Sequence, residues 1–245
     1  MKNLLTLALV LLSVLAFGQL PKTIIQGDSR EPYEGTEFTA SKINAAAQTG
    51  VYHLGESEGE CDLIVLPYKT GIIIQMCGNN WGVDRNTGKE TWLKKYITFN
   101  QVVVKGNRFD FGKYKGMFAI YDGKIKKAVL LNGDPTSNEV YQKDTVEAGH
   151  YRTDLADYYS DMKYPEVSFK TIDEKYLAGK SGEDLKWMCN EVFARYGLIF
   201  QSPKIAAIFK ERYTPWRKNA DDCLTAIEKE NVMFIRAHQE KLNNQ

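Results

Sequence analysis

The chain has 245 residues, enough for one large domain or two modest ones. Its 32 lysines and arginines against 31 aspartates and glutamates exclude capture of nucleic acid or another polyanion by bulk charge. His53, His150 and His238 have no second ligand at metal spacing, and no nucleophile elbow, phosphate loop or His-Glu-x-x-His occurs, so no metal, cofactor or catalytic residue is expected.

In chain order, Met1-Lys2 precedes an uncharged, mostly apolar run from Leu4 to Phe17, and Ala16-Phe17-Gly18 offers a small-x-small site before Gln19. This predicts a signal peptide over 1–18, cleaved near Gly18/Gln19. The run falls short of the about 20 residues that span a bilayer. The expectation is an exported protein, periplasmic or extracellular, soluble after cleavage and without a membrane span.

Residues 19–49 read as an irregular lead-in. From 50 to 132 the texture is β: short apolar runs such as Val51–Leu54, Leu63–Leu66 and Ile72–Ile74 alternate with turn formers, including Gly78–Gly82 and Arg85–Lys89. Such spacing predicts an antiparallel sandwich or small barrel, with a lipocalin-like barrel as one form. Asn132 to Asn138 ends the β stretch in consecutive turn formers, and 133–174 reads as a polar, tyrosine-rich connector. Asp154, Asp157 and Asp161 share a helical face there without the spacing of a calcium loop.

The four cysteines fall as Cys61/Cys77 and Cys189/Cys223. A hairpin centred on Lys69 would set Cys61 opposite Cys77, and a Cys189–Cys223 bridge would pin two helices together. An oxidising compartment permits three connectivities, and four buried thiols are the alternative.

Residues 175–245 read as three helices. Leu185, Met188, Val192 and Tyr196 share one face; Ser181 with Asp184 approximates a capping box, and Gly197 stands where a left-handed residue ends a helix. Ser202-Pro203 opens a second helix with Ile205, Ile208 and Phe209 inward, and a third starts near Asp221-Asp222. The fold class is therefore α+β, an antiparallel β domain followed by a small three-helix domain.

The run Asn190-Glu191-Val192-Phe193-Ala194-Arg195-Tyr196-Gly197 resembles the signature of the YARHG domain, a small helical module of bacterial envelope proteins. Phe200 fills the aromatic place three residues after the glycine. Leu185, Ile208-Phe209, Pro215-Trp216, Leu224, Ile227, Glu228 and Asn231 extend the likeness over about 175–237. Phe193 replaces the family's tyrosine, Tyr196 its histidine, and Arg217 an aromatic after the tryptophan. The resemblance implies an extracytoplasmic place and a cell-wall role with no established reaction, and the reading is non-enzymatic binding with peptidoglycan or another envelope component as partner. Asn190, Glu191, Arg195 and Trp216 are the candidate binding residues. Against that stand an intrahelical Glu191–Arg195 ion pair, a buttressing role for Asn190 and a core role for Trp216. Two other functions fit the sequence: a carrier of a small apolar ligand in a β-barrel, and a wall hydrolase using two carboxyls.

Overall fold

The computed structural model describes residues 20–243 except 28–29, 34–36, 58, 86 and 122–125. The signal peptide read over 1–18 lies outside the described residues. Strands β1 (Thr23–Gln26), β2 (Glu31–Pro32) and β3 (Phe38–Ala40) lead into a meander of β4 (Gly50–Leu54), β5 (Cys61–Tyr68), β6 (Gly71–Val83) and β7 (Glu90–Phe99). It continues as β8 (Val102–Lys105), β9 (Arg108–Phe111), β10 (Tyr114–Tyr121) and β11 (Lys126–Leu131). A ribbon of β12 (Gly133–Asp134) and β13 (Glu139–Val140) precedes β14 (Thr145–Thr153).

The strands form one sheet in the order β7-β6-β5-β4-β14-β11-β10-β9-β8, with β1, β2 and β3 added at its margins. Pairing is antiparallel except for β1 on β14. The closed, lipocalin-like barrel is not formed: the hydrogen-bonded path ends at β7 on one side and at the four-residue β8 on the other. Both faces of the sheet are covered, which explains why Leu63–Leu66 reads as a continuous apolar run rather than an alternating one. Leu63 and Val65 pack with Tyr52, Ile74, Met76, Phe109, Phe111 and Phe118 on the inner face. Large aromatic side chains fill that interior, the opposite of what a carrier of apolar ligands needs.

Three sequence expectations fail here for local reasons. β14 lies inside the stretch read as a polar connector; its buried Ala148 and Gly149 leave no apolar period to see, and a Cβ at Gly149 would lie 2.8 Å from Leu54 Cγ. Gly78–Gly82, read as a turn, is the distal part of the 13-residue β6. The β5–β6 hairpin turns on Lys69-Thr70, with Tyr68 opposite Gly71, so Cys61 faces Gly78 and Cys77 faces Asp62. That one-residue shift sends the two cysteines to opposite faces of the sheet. All four cysteines are buried free thiols.

Among the described residues, six α-helices follow β14 along the chain: α1 (Leu155–Tyr158), α2 (Glu166–Phe169), α3 (Glu174–Leu177), α4 (Gly182–Arg195), α5 (Pro203–Phe209) and α6 (Ala226–Asn243). The three expected helices correspond to α4, α5 and α6, but they do not close a core of their own. Leu185, Val192, Ile227 and Ile235 share one cluster with Ile64, Leu66, Ile73 and Tyr96 of the sheet's outer face. Ile208 is exposed rather than inward, leaving Phe209 as the buried anchor of α5. The last helix begins at Ala226, later than Asp221-Asp222, because Thr225 and Glu228 form a reciprocal cap: Thr225 Oγ1 accepts from Glu228 N at 3.1 Å, and Glu228 Oε2 accepts from Thr225 N at 2.9 Å.

The cap on α4 matches its sequence pattern, with Ser181 Oγ accepting from Asp184 N at 3.1 Å. Asp184 also accepts from Tyr164 Oη at 2.5 Å and from Lys163 Nζ at 3.0 Å. The Tyr164 hydrogen bond, then Ser181 and Lys163, hold its carboxyl well below the usual range. A depressed carboxyl stabilises the fold above its unfolded pKa and loses that effect as pH falls. Asp184→Asn is therefore expected to lower the melting temperature at neutral pH. The gap from wild type should shrink as pH falls from about 5 toward 2; a gap constant over that range would show that the charge contributes nothing.

Candidate functional site

The last turn of α4 drives Arg195 against the sheet. Its guanidinium donates to Glu228 Oε1 at 3.0 Å, to Gln75 Oε1 at 3.0 Å and to the hydroxyls of Tyr196 and Tyr159 at 3.1 and 3.3 Å. It also stands 4.5 to 4.9 Å from the ring centres of Tyr159, Tyr196 and Tyr96. Burial raises the pKa of all three phenols, so they remain neutral donors and acceptors. Gln75 lies fully buried in the middle of β6 and donates to Tyr196 Oη at 2.8 Å and to Cys223 O at 3.0 Å. Tyr196 Oη in turn donates to Glu228 Oε2 at 2.6 Å. The expected Glu191–Arg195 pair is thus replaced by Arg195–Glu228, because the arginine points into the sheet rather than along its own helix.

Glu191 points the other way. Its fully buried carboxylate accepts from Lys163 N at 3.1 and 3.0 Å and pairs with Arg212 at 3.0 Å. Burial raises its pKa, opposed by the Lys163 amide and by Arg212. Asn190 is half-buried on α4. The buttressing assigned to it in sequence belongs to Asn231, whose amide accepts from Ile172 N at 3.1 Å and donates to Val167 O and Lys170 O at 2.8 and 2.7 Å.

Trp216 is set by backbone pairing, with Trp216 N and Arg217 N donating to Gly197 O at 2.9 and 3.0 Å. Gly197 has φ +75°, and a Cβ there would lie 2.4 Å from Trp216 Cδ1. The indole therefore rests on the bare glycine, with the Arg217 guanidinium 3.9 Å from its ring centre. Gly197→Ala combines backbone strain with this clash and is expected to cost about 1–3 kcal/mol in urea unfolding. A change within about 0.5 kcal/mol would show that the indole moves aside freely.

Half-buried Trp216 borders a groove of about 210 Å³, together with Trp92, Lys94, Tyr158, Asp161, Arg212 and Tyr213; Arg195 and Tyr96 reach it from below. At the groove's mouth the β6–β7 hairpin runs beyond the helical layer. Trp81 and Trp92 face each other in its ladder, ring centres 4.4 Å apart, and are 62% and 38% exposed. Trp216 and Trp81 also flank a second, shallower depression with Asn80 and Arg85. Two indoles in contact, their planes tilted by 32°, form an apolar surface ringed by polar groups. The sequence names Trp81 and Trp92 without pairing them; Val83 pairs with Glu90, a register that a turn centred on Thr87 would miss by one residue, setting Trp81 against Leu93 instead.

Asp161 is the one acid among the described residues that line the 210 Å³ groove.

Residues 160–240 match the family model of the YARHG domain. The match starts upstream of residue 175, where the sequence likeness begins, and the hydrogen bonds account for it. Glu191 and Asn231 of the YARHG segment hold the backbone of 163–172, so that stretch is part of the same unit. Tyr196, in place of the family's histidine, supplies the hydroxyl that joins Gln75 to Glu228. No curated protein and no solved structure matches the chain.

Proposed function

We propose that this is an exported envelope protein that binds the glycan of the cell wall without cleaving it, at the surface where the β6–β7 hairpin meets the YARHG domain. The observation that carries the reading is the exposed Trp81–Trp92 pair beside Trp216. The C–H faces of pyranose rings pack on indole faces, while Asn80 and Arg85 at the rim offer donors to sugar hydroxyls. The leader-like segment at 1–18 and the YARHG match support an extracytoplasmic place. Of the signature residues, Trp216 takes part directly. Arg195 and Glu191 hold the groove's floor and wall, since both are buried and already paired. The test is co-sedimentation of the mature protein with purified peptidoglycan at low and high salt, with Trp81→Ala/Trp92→Ala as the comparison. Retention at both salts that disappears in a folded double variant is the expected result, and absence of retention by wild type at either salt refutes the reading.

A further inference from the structure

The outer face of the sheet changes character along its strand order. The helical layer covers it from β7 to β4, and Tyr33 and Phe38 of the lead-in pack over its middle. Toward β8 and β9 it opens, with Val103 56% exposed. The register there sets Lys105 opposite Arg108, and Asp110 between Val103 and Lys115, so these side chains share one face. Residues 20–22 and 140–146 wall that face into a groove of about 1030 Å³ and add Lys22, Lys143 and Asp144 to its lining. Five cations thus meet two acids, an excess that the balanced composition of the whole chain conceals. Among the described residues the lysine ion pairs are made by Lys69, Lys163 and Lys241, and the four groove lysines have none. Gathering like charges in one concavity raises the local potential, and a bound polyanion relieves their repulsion.

We propose that this groove binds a chain of polyol phosphodiesters, an anionic polymer of the envelope, independently of the indole platform. Lysine ammoniums are point charges that accept a singly charged phosphodiester in any orientation, whereas planar carboxylates favour the fork of arginine. Single-stranded nucleic acid needs open rings for its bases. Of the two aromatic residues in the lining, Phe109 is buried and half-buried Tyr141 is tied through its hydroxyl to Glu147. A concave groove admits a chain along its length, while a flat bilayer would touch only its rim. No residue of this groove lines the aromatic one, so the two sites bind separately.

The test titrates the mature protein with soluble poly(glycerol phosphate) at low and high salt. Binding that weakens steeply with salt is expected, and Lys105→Gln/Lys115→Gln should weaken it about tenfold while flattening the salt dependence. Lys204→Gln/Lys210→Gln removes the same charge from exposed positions at α5 and is expected to change nothing. Equal loss in the two double variants would assign the binding to net charge and overturn the site. Binding to phosphatidylglycerol vesicles but not to the soluble chain, or tighter binding to oligothymidylate, overturns the proposed ligand. No binding of the soluble chain at low salt overturns the proposal outright. Retention of Lys105→Gln/Lys115→Gln on peptidoglycan should equal that of wild type, which keeps this result distinct from the glycan reading. Thermal unfolding of each variant separates lost contacts from lost fold.

Discussion

Arg195→Ala is expected to lower the unfolding free energy by about 3–5 kcal/mol, a large part of the about 5–15 kcal/mol that holds a typical domain together. The size follows from what the substitution leaves behind. Glu228 is fully buried, and Arg195 is its only basic partner among the described ion pairs. Removing the guanidinium strands a carboxylate in a nearly dry site and leaves Gln75 Oε1 without its donor. Lysine at 195 would keep the charge but lose the planar fork that reaches Glu228, Gln75 and two phenols together, so Arg195→Lys is also expected to be destabilising. Replacing both ions, as Arg195→Met with Glu228→Leu, should cost less than Arg195→Ala alone, because no charge is then left unpaired. Urea unfolding followed by circular dichroism and by tryptophan fluorescence checks this. A loss below about 1 kcal/mol for Arg195→Ala would mean that the site is wet and the network idle.

The same network joins the two halves of the molecule, since Gln75 is in β6 and Arg195, Tyr196 and Glu228 are in the helical layer. Tyr68 and Lys69 add a second link to α6, both engaging the Glu230 carboxylate. The two optical probes should therefore report one transition with a shared midpoint.

How much of this was legible in sequence depends on range. Features set within about four residues were readable: the Ser181–Asp184 cap, the Leu185–Tyr196 face and the left-handed Gly197 all form as their spacing predicts. Features set by partners far along the chain were not. Gln75 and Arg195 are 120 residues apart, and nothing local marks Gln75 as more than a polar residue in an apolar strand. The cysteine expectation failed by the smallest possible margin: a hairpin centre moved by half a residue turns a facing pair into two thiols on opposite faces. Thr225-Ala226-Ile227-Glu228 did carry a readable signal, the Ser/Thr-x-x-Glu pattern, and it marks the true start of α6. The barrel expectation failed because closure depends on the free edges of β7 and β8, which short-range pattern does not encode.

Trp81→Ala/Trp92→Ala should separate function from stability in the opposite sense to Arg195→Ala. The pair sits on the distal hairpin, where Trp81 is 62% exposed and the helical layer does not cover it. Its contribution to folding is therefore that of a cross-strand aromatic contact, about 0.5–1.5 kcal/mol. For binding, the same rings are the large, rigid surfaces that dominate recognition, and each truncation is expected to cost about 2 kcal/mol or more. Loss of both then weakens retention on peptidoglycan by roughly a hundredfold or beyond. Trp216→Ala should harm both properties, since that indole also packs on Gly197 and under Arg217. Salt supplies the second discriminator. Stacking on sugar carries no net charge, so wild-type retention should persist near 1 M salt, where the screening length is about 3 Å. A surface held only by Lys94 and Arg85 would release there. If the folded double variant still pellets like wild type, the indole platform is not the binding face, and the groove below it, around Tyr158, Arg212 and Tyr213, becomes the place to mutate next.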